Sequence, residues 1–397
     1  METLLSKQDT LKLVEEYIKN EKPAPTTQEL VDSGAVPRLK GYIVKPGKVS
    51  DSIFGGKGSF KDKKSGKTIE FENPPLNSKD GRSLRLMVRT SRISTHDFNR
   101  GEIPFKDQIL ASNHNFMRKL LTPAIGTSQL EVSGLPDSAI VIVAENLGQL
   151  EFENVLRAYN AKSSTSTSLY QNYIQGVRDY CGHILPEGLI PNGPLPYVMD
   201  TPTTKSDEHD ECIAPNYLFD NKLCTPQQYK QVINASMVAF GMVSNFLKQK
   251  GLIAVDTKTE HGVNKKNEVV SQDEIWTIDS SRFWLAEDYE SQLKLYLAGK
   301  EIELANYIKD TQPGVKESDY VVSGKVIICP KSYSKEFARG FSKGESEYND
   351  AERLEISVRY IESIQYLLGI AFKPDMRPRI ERMISGLQTI CDQVLKN

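Results

Sequence analysis

A long helix followed by two strands is the sequence feature that most constrains this fold. Residues 226–250 carry apolar side chains at helical spacing, and Gly251 follows as a predicted C-cap. Residues 252–256 form an apolar run that ends in an acid, and residues 268–274 lead into a second predicted strand. A short turn at 262–266 is predicted to join the two as an antiparallel pair that presents acids at one end. This part of the chain therefore mixes helix and strand.

Strands dominate the first part of the chain, and helices dominate the last part. Strands are predicted at 41–44, 84–89, 139–144 and 152–159. Further helices are predicted at 8–20, 109–121, about 288–308, about 350–368 and about 376–395. The polar residues 55–82, rich in glycine and lysine, are predicted to be an exposed excursion that contains a flexible loop at 55–58.

Composition limits the classes of partner. The 397 residues carry 50 basic and 52 acidic side chains, a net charge of −2, which gives no support for binding nucleic acid or membrane through bulk charge. The first residues lack a signal-peptide pattern, and no apolar run approaches the ~18 residues of a membrane span. The five cysteines are widely spaced and form no CxxC pair, which favours reduced thiols in a cytoplasmic protein.

The stretch 275–284 contains the most informative motif. Its core, Asp-Ser-Ser-Arg-Phe-Trp, follows Asp273 and comes shortly after Lys258 and Glu260. Carboxylates hold Mg²⁺ together with phosphate oxygens, and arginine presents a planar fork of donors to phosphate. A functional interpretation therefore puts Glu260 and Asp273 on a divalent metal and Lys258 on a phosphate. The alternative, a charged hairpin that faces solvent, is favoured for these residues in isolation.

Other polar loops supply further candidate groups. Residues 201–213 place hydroxyls, a lysine, His209 and several acids in one loop, which suits a pocket for an anionic substrate, although a solvated loop is the simpler interpretation. Arg157 with Ser163 suits a phosphate, or else an ion pair and a turn. The glycine and lysine of 47–51 also suit a phosphate, but the Walker A and Rossmann patterns are absent.

Seven segments, taken in order, resemble the SAICAR synthetase family, the phosphoribosylaminoimidazole-succinocarboxamide synthases of purine biosynthesis. They are Gly47-Lys48-Val49-Ser50-Asp51, Ser91–Asp97, Val155–Tyr159 with Ser163, Leu185–Leu189, Thr201–Ile213, Asp256–Gly262 and Asp273–Trp284. Each is weak alone, but the order is specific. The segments that end in His-Asp-Glu-Cys-Ile and Asp-Ser-Ser-Arg-Phe-Trp are the most specific. The resemblance covers about 41–284 and continues near 333–369.

The resemblance implies a fold and a reaction. Members join L-aspartate to the carboxylate of 5-aminoimidazole-4-carboxylate ribonucleotide (CAIR), using ATP and Mg²⁺, through an acyl phosphate; such chemistry is largely positioning and charge neutralisation. The implied fold is α+β and ATP-grasp-like, with a small antiparallel N-terminal lobe over a larger mixed domain and ATP between them. A kinase-like relative with another acceptor and a non-catalytic nucleotide-binding paralogue are the alternatives. The presence of Asp210 argues against the first, and that of Glu260 and Asp273 against the second.

The resemblance also implies residue roles. Lys258, Asp256 and Arg339 would border the reacting carboxylate as catalytic residues. Lys48, Lys205 and Glu260 would lie along ATP, and Glu260 and Asp273 would hold Mg²⁺. The substrates would be bound by Arg92, Asp97, Lys106, Arg157, Ser163, His209, Asp210 and Arg282. Among these, Arg157, Ser163 and Arg282 would hold the 5′-phosphate of the ribonucleotide, and Asp210 would help to place L-aspartate.

The implied division of the chain has three parts. Residues 1–40 would be an N-terminal helical extension, 41–144 a small strand-rich nucleotide-binding lobe, and 145–397 a larger substrate- and metal-binding domain with an insertion at about 285–332. The implied partners are small molecules, without nucleic acid or membrane, and a homo-oligomer is compatible with the sequence.

Several positions depart from the family pattern. Ser50 stands where the family has arginine, and Asp107 and Lys162 stand where it has glycine. Because the pattern around residue 162 is altered, the phosphate-binding serine could be Ser164 rather than Ser163.

Overall fold

The computed structural model describes residues 3–62, 65–95, 98–163, 165–205, 210–303, 317–322, 324–341 and 346–396. Its α-helices are α1 (Lys7–Asn20), α2 (Thr27–Ser33), α3 (Lys106–Leu121), α4 (Leu169–Ile174), α5 (Pro215–Asp220), α6 (Pro226–Lys248), α7 (Ala286–Leu297), α8 (Asp350–Leu368) and α9 (Arg379–Gln393). Short 3-10 helices lie at Pro37–Leu39, Glu317–Tyr320 and Lys335–Gly340. No described helix has the length and apolar character needed to cross a membrane.

The strands form several separate sheets, nearly all antiparallel. In chain order they are β1 (Val44–Lys45), β2 (Ser50–Phe54), β3 (Gly56–Lys61), β4 (Thr68–Asn73), β5 (Leu84–Arg89), β6 (Arg92–Thr95), β7 (Phe98–Glu102), β8 (Gly126–Thr127), β9 (Val141–Glu145), β10 (Gly148–Gln149), β11 (Phe152–Tyr159), β12 (Asp179–Tyr180), β13 (His183–Ile184), β14 (Pro194–Asp200), β15 (Thr203–Thr204), β16 (Leu252–Thr259), β17 (His261–Val263), β18 (Val269–Ser271), β19 (Ser281–Leu285), β20 (Val321–Val322) and β21 (Lys325–Val326). The fold is therefore mixed α and β, as the sequence predicts.

The first sheet has the strand order β1-β2-β5-β9 and shares a core with the last helix of the chain. Leu86 of β5, Val141 of β9 and Leu387 of α9 belong to that core. Gly386 permits the close approach of α9, because a Cβ at this position would lie 2.2 Å from Cγ2 of Val141. This sheet is thus covered by a helix that is distant in sequence.

The second sheet has the order β14-β11-β16-β19, with β15 beside β11. Helix α6 packs on it and contributes Val243 to a core that contains Trp276. Helix α8 packs against α3 and α1, and Val14 of α1 is buried in the same core. The N-terminal helix is therefore held by the body of the protein.

A third, small sheet has the order β10-β17-β18-β8. The prediction that residues 252–256 pair with residues 268–274 is wrong. Strand β16 continues to Thr259 and pairs with β11 and β19, whereas β18 pairs with β17. The physical reason is that β16 is a central strand with a partner on each side, which accounts for its apolar run. The acids after it start a separate hairpin.

Other predictions have mixed outcomes. Strands β5 and β11 and helix α8 have the predicted bounds, and the helices predicted at 8–20, 109–121 and 226–250 are present as α1, α3 and α6. The flexible loop predicted at 55–58 is wrong, because β3 pairs with β4 in a hairpin. The helix predicted at 288–308 ends at Leu297.

Candidate active site

A cleft of ≈ 270 Å³ opens beside strands β11, β16 and β19 of the second sheet. It is lined by basic residues, acidic residues and hydroxyls. The basic residues are Arg157, Lys258, Arg282, Lys335 and Arg339, and the acidic residues are Glu153, Asp210, Asp256, Asp279 and Glu336. The hydroxyls come from Ser163, Thr165, Thr167, Thr203, Thr257, Ser280, Ser281 and Ser334. Such a lining suits a highly polar, charged ligand rather than an apolar one.

Two arginines share one carboxylate in this wall. Asp256 of β16 is the register partner of Arg157 on β11 and of Arg282 on β19. Arg282 Nε donates to Asp256 Oδ1 at 2.9 Å, and Arg157 Nη1 lies 3.6 Å from Asp256 Oδ2. Burial opposes the charge of Arg282, but Asp256 outweighs it, so the pKa of Arg282 is raised. The three side chains together carry a net charge of +1, from two arginines and one aspartate.

Ser163 lies beside this arginine pair. Arg339 Nη1 is 3.5 Å from Ser163 Oγ and donates to Glu336 at 3.0 Å. Arg157 Nη2 donates to the carbonyl of Thr167 at 2.9 Å, and Arg282 Nη1 donates to the carbonyl of Lys162 at 3.1 Å. The carbonyls of Lys162 and Thr167 therefore hold the two guanidinium groups in place.

Lys258 lies next to Asp256 along β16 but pairs elsewhere. Its Nζ forms an ion pair with Glu153, whose other oxygen accepts from Thr203 Oγ1 at 3.2 Å. Glu153, Thr203 and Asp210 all line the cleft. Lys258 is thus an exposed cation that a neighbouring carboxylate holds toward the opening.

Asp279 anchors a second group of cations. Its carboxylate pairs with Lys106 at 2.8 Å, accepts from Tyr360 Oη at 2.6 Å, and lies 4.0 Å from Lys335. Burial alone would raise the pKa of Asp279, but Lys106 and Lys335 lower it. Lys106 is fully buried behind the wall, whereas Lys335 lines the cleft. Lys106 therefore supports the wall, and Lys335 faces the ligand space.

The predicted metal ligands lie just beyond the paired ends of β17 and β18. The amide of Gln272 donates to the carbonyl of Glu260 at 3.1 Å, and Asp273 is the next residue after Gln272. Glu260 forms an ion pair with Lys205 and accepts from Gln149 at 2.8 Å. These contacts bring Glu260, Asp273 and Lys205 into one group.

Electrostatics supports a cation between these carboxylates. Burial, Glu260 and Glu274 raise the pKa of Asp273 to about 6, against the opposing effect of Arg85 and Arg89. Carboxylates that disfavour each other's charge suit a divalent ion, and Mg²⁺ takes one or two carboxylates together with phosphate oxygens. Among the described residues, no group of three or more metal-ligating side chains is present. Glu260 and Asp273 are therefore the residues here that could hold a divalent ion.

The loop that precedes β2 is tied to Arg92. Arg92 Nη2 donates to the carbonyl of Gly47 at 2.8 Å and to Asp51 Oδ1 at 2.5 Å. A side chain at Gly47 would lie 2.2 Å from the carbonyl oxygen of Ser50, so the turn requires glycine. Lys48 is exposed in this loop. Arg92 therefore shapes the loop, and neither Arg92 nor Lys48 lines the cleft.

The predicted site residues are only partly brought together. Arg157, Ser163, Asp210, Asp256, Lys258, Arg282 and Arg339 line one cleft, and Lys205, Glu260 and Asp273 form the neighbouring group. Asp97, Ser164 and His209 lie outside the described residues.

Sequence reasoning missed several residues of the cleft. Glu153, Asp279, Lys335 and Glu336 line it without having been predicted. Asp279 is the first residue of the Asp-Ser-Ser-Arg-Phe-Trp motif, and Lys335 precedes Arg339 by one turn, so both carried a local signal. Glu153 carried none, because its role depends on the register between β11 and β16.

Residues 77–302, more than half of the chain, match the family model described as SAICAR synthetase. The chain belongs to the SAICAR synthetase family. This chain is 35% identical over 228 residues to the chloroplastic phosphoribosylaminoimidazole-succinocarboxamide synthase of Arabidopsis thaliana.

The alignment with the Arabidopsis protein covers 56% of this chain and 53% of the relative, so this chain spans about half the length of that relative. It is 35% identical over 320 residues to a protein of Mesorhizobium japonicum named putative phosphoribosylaminoimidazole-succinocarboxamide synthase 2, covering 80% of this chain and 90% of the relative.

Solved structures of the family share the fold. The SAICAR synthase of Saccharomyces cerevisiae complexed with SAICAR superposes with a TM-score of 0.58 at 20% identity, covering 84% of this chain and 97% of the yeast chain. A SAICAR synthetase in complex with ADP superposes with a TM-score of 0.51 at 19% identity, covering 84% of this chain and 100% of the other. At these identities the similarity shows the fold alone.

Proposed function

We propose that this chain joins L-aspartate to the carboxylate of CAIR, with ATP and Mg²⁺, to give SAICAR, ADP and phosphate. The observation that carries the proposal is the pair Arg157 and Arg282, which share the single carboxylate of Asp256 beside Ser163. This arrangement leaves surplus positive charge and a hydroxyl donor for the 5′-phosphate. Family membership supports it, as do relatives named as synthases of this reaction.

The nucleotide and metal would lie at the neighbouring group. Glu260 and Asp273 would hold Mg²⁺, and Lys205 would lie along ATP, with Lys48 reaching in from the loop before β2. When bound, the ion would neutralise phosphate charge during transfer. A SAICAR synthetase solved in complex with ADP supports the use of an adenine nucleotide.

The reacting carboxylate would lie between Asp256, Lys258 and Arg339. Lys258 is held toward the cleft by Glu153, and Arg339 is held beside Ser163 by Glu336. Two cations on one side of a carboxylate favour the developing charge of an acyl phosphate. Asp210 would orient the amine of L-aspartate, and Lys335 adds a further cation on the wall. Arg92 would act on the substrate only through the loop at 47–51, and Lys106 only through its ion pair with Asp279. Asp97 and His209, which lie outside the described residues, stay proposed substrate ligands.

The test is ADP release by purified protein with ATP, Mg²⁺ and CAIR, with and without L-aspartate. We expect release that depends on aspartate, with SAICAR identified by mass. ADP release without aspartate, accompanied by a phosphorylated acceptor, would favour a kinase-like reaction. Nucleotide binding without ADP release under any of these conditions would contradict the proposal and favour a non-catalytic protein.

A further inference from the structure

Two cysteines lie near each other beside the cleft, Cys181 in a short hairpin and Cys212 opposite Thr203, and neither has a role in the proposed reaction. Strands β12 and β13 are joined by Cys181 and Gly182, whose φ angles are 55° and 83°. A residue other than glycine in this region costs about 1 kcal/mol, and cysteine is not among those that favour it. The side chain of Cys181 is nevertheless directed inward and is 9% exposed.

Cys181 and Cys212 belong to one cluster of packed side chains. Thr203 pairs with Cys212, and the amide of Ile213 donates to the carbonyl of Pro202 at 3.0 Å. Cys181 Sγ donates to that same carbonyl at 4.0 Å. Cys181 therefore contacts Pro202, the neighbour of the residue that pairs with Cys212.

Cys212 is the more reactive of the two thiols by its surroundings. Tyr180 Oη lies 3.0 Å from Cys212 Sγ, and Cys212 Sγ donates to the carbonyl of Thr167 at 3.6 Å. The Cys181 thiol, Tyr180 and the charge of Arg157 lower the pKa of Cys212, although burial opposes this. The same Cys181–Cys212 hydrogen bond and burial raise the pKa of Cys181. This asymmetry suits a nucleophilic thiolate at Cys212 and a second thiol at Cys181.

We propose that Cys181 and Cys212 are a peroxide-oxidisable thiol pair that closes to a disulfide and thereby slows the enzyme. The Cys212 thiolate attacks one oxygen of hydrogen peroxide; the S–O bond forms, the O–O bond breaks, and the departing hydroxide takes a proton to become water. Cys181 sulphur then attacks the sulfenic acid; the S–S bond forms, the S–O bond breaks, and the departing hydroxide takes the Cys181 proton. Two thiols lose two electrons, and one peroxide becomes two waters.

The disulfide acts on the cleft through Thr167. The carbonyl of Thr167 accepts from Cys212, from Tyr180 at 2.8 Å and from Arg157 at 2.9 Å. A bond to Cys181 draws Cys212 away from this carbonyl and moves the neighbouring Asp210, which lines the cleft. Because a displacement of about 1 Å in a site can cost up to ~100-fold in rate, we expect a loss of about tenfold. This effect on rate rests on the proposed function, whereas the disulfide itself does not.

The first experiment follows the chemistry by peptide mass after treatment of the reduced protein with hydrogen peroxide. We expect a linked Cys181–Cys212 peptide pair, two hydrogens lighter than the sum of its parts. Cys181→Ser should stop at a sulfenic acid on Cys212 that dimedone traps, and Cys212→Ser should give no reaction at Cys181. Cys224→Ser and Cys391→Ser are matched controls that should still form the link. Absence of the link in the wild type, or faster oxidation at Cys224 or Cys391, would overturn the proposal.

The second experiment measures aspartate-dependent ADP release before oxidation, after oxidation and after reduction with dithiothreitol. The wild type should lose about tenfold in rate and recover, and Cys212→Ser should keep its rate after peroxide. A complete disulfide with an unchanged rate would overturn the inhibitory effect. If the reduced protein releases no ADP at all, the proposed function fails, and the peptide masses still decide whether the disulfide forms.

Discussion

Arg282 tests the phosphate assignment at the scale of one residue. Arg282→Ala removes a charged donor next to Ser163 and leaves Asp256 with only Arg157, so we expect the KM for CAIR to rise by about 100-fold, equivalent to ~3 kcal/mol. The KM for ATP should change by less than about threefold, because Lys205 and Glu260 lie in the neighbouring group. Steady-state kinetics with each substrate varied in turn measures both values.

The control for Arg282 is Arg178→Ala. Arg178 also pairs with a carboxylate, that of Glu187, but it does not line the cleft. Its replacement by alanine should therefore leave both KM values unchanged. An equal loss of affinity for CAIR and ATP in Arg282→Ala would remove Arg282 from the phosphate site.

Asp273 links the candidate metal site to pH-dependent stability. Its pKa is raised from 3.8 to about 6 in the folded protein, so the folded state keeps a proton that the unfolded state has lost. Without metal, the free energy of unfolding therefore falls as the pH rises from about 4 to about 6. Above about pH 6 the full loss, roughly 2–3 kcal/mol, remains. Asp273→Asn should stabilise the protein in EDTA at pH 7.5 by about 1–2 kcal/mol, and less at pH 5. Urea unfolding at both pH values measures the difference.

The same variant should lose its turnover and its stabilisation by Mg²⁺, because a neutral amide is a poor ligand for the ion. Asp220→Asn, an exposed carboxylate at the end of α5, should change stability by less than about 0.5 kcal/mol and keep full activity. If Asp273→Asn retained turnover at saturating Mg²⁺, Asp273 would not be a metal ligand.

Part of the site was predictable at this scale because its residues lie in ordered motifs. Arg157, Asp256 and Arg282 belong to separate segments whose order resembles the family, and the structure places them in one cluster. Glu153 was not predictable, because its pairing with Lys258 follows from the strand register. Lys106 was expected to contact substrate, but it is completely buried and pairs with Asp279. No local sequence pattern indicates this ion pair.

At the scale of elements, apolar periodicity was a good guide wherever a strand or helix packs over its whole length. Strand β5 is buried at every position, and α8 begins at a capping box formed by Asn349 and Glu352, so their predicted bounds hold. Strand β3 is mostly exposed, so it lacked the pattern that predicts strands. The partner of β16 was predicted wrongly because local sequence favours the nearest strand, whereas the register joins β16 to β11, about 100 residues earlier.

Gly386 tests how α9 docks on the first sheet. Gly386→Ala puts a methyl group 2.2 Å from Cγ2 of Val141, and overpacking of this kind costs about 1–3 kcal/mol. The higher helix propensity of alanine offsets about 1 kcal/mol of this cost, so we expect a net loss of up to about 2 kcal/mol in the free energy of unfolding. Gly241→Ala in α6 is the matched control, because nothing lies within 4 Å of a Cβ there and the gain, about 0.5–1 kcal/mol, should appear alone. Chemical unfolding of both variants measures the contrast, and a stabilised Gly386→Ala would contradict the close packing.

At the scale of the whole molecule, polar contacts join the first sheet to residues 272–274, the segment that contains Asp273. Arg89 of β5 pairs with Glu274 at 2.8 Å, and their side chains are 3% and 8% exposed. Arg85 of the same strand donates to the carbonyl of Gln272. Both contacts reach the residues that flank Asp273. The position of residues 272–274 is therefore coupled to the sheet whose strands β1 and β2 flank the loop of Lys48.

The pair Arg89 and Glu274 tests this coupling. Glu274→Gln leaves Arg89 buried without its counter-charge, which costs about 3–5 kcal/mol, and the free energy of unfolding should fall by that amount. Arg89→Met with Glu274→Leu removes both charges and should recover most of the loss, because a buried ion pair often contributes little over apolar residues. A double-mutant cycle that adds the single variants Arg89→Met and Glu274→Leu, measured by urea unfolding, isolates the interaction.

The two stability outcomes separate structure from function. The double variant Arg89→Met with Glu274→Leu should fold stably. It should nevertheless bind Mg²⁺–ADP less tightly than the wild type, because the ion pair that joined the segment with Asp273 to β5 is gone. Calorimetric titration with Mg²⁺–ADP measures this, with the exposed pair Lys57 and Glu72 of the β3–β4 hairpin, changed to alanines, as the control that should bind normally. Unchanged affinity in the Arg89–Glu274 double variant would show that the first sheet does not position the metal segment.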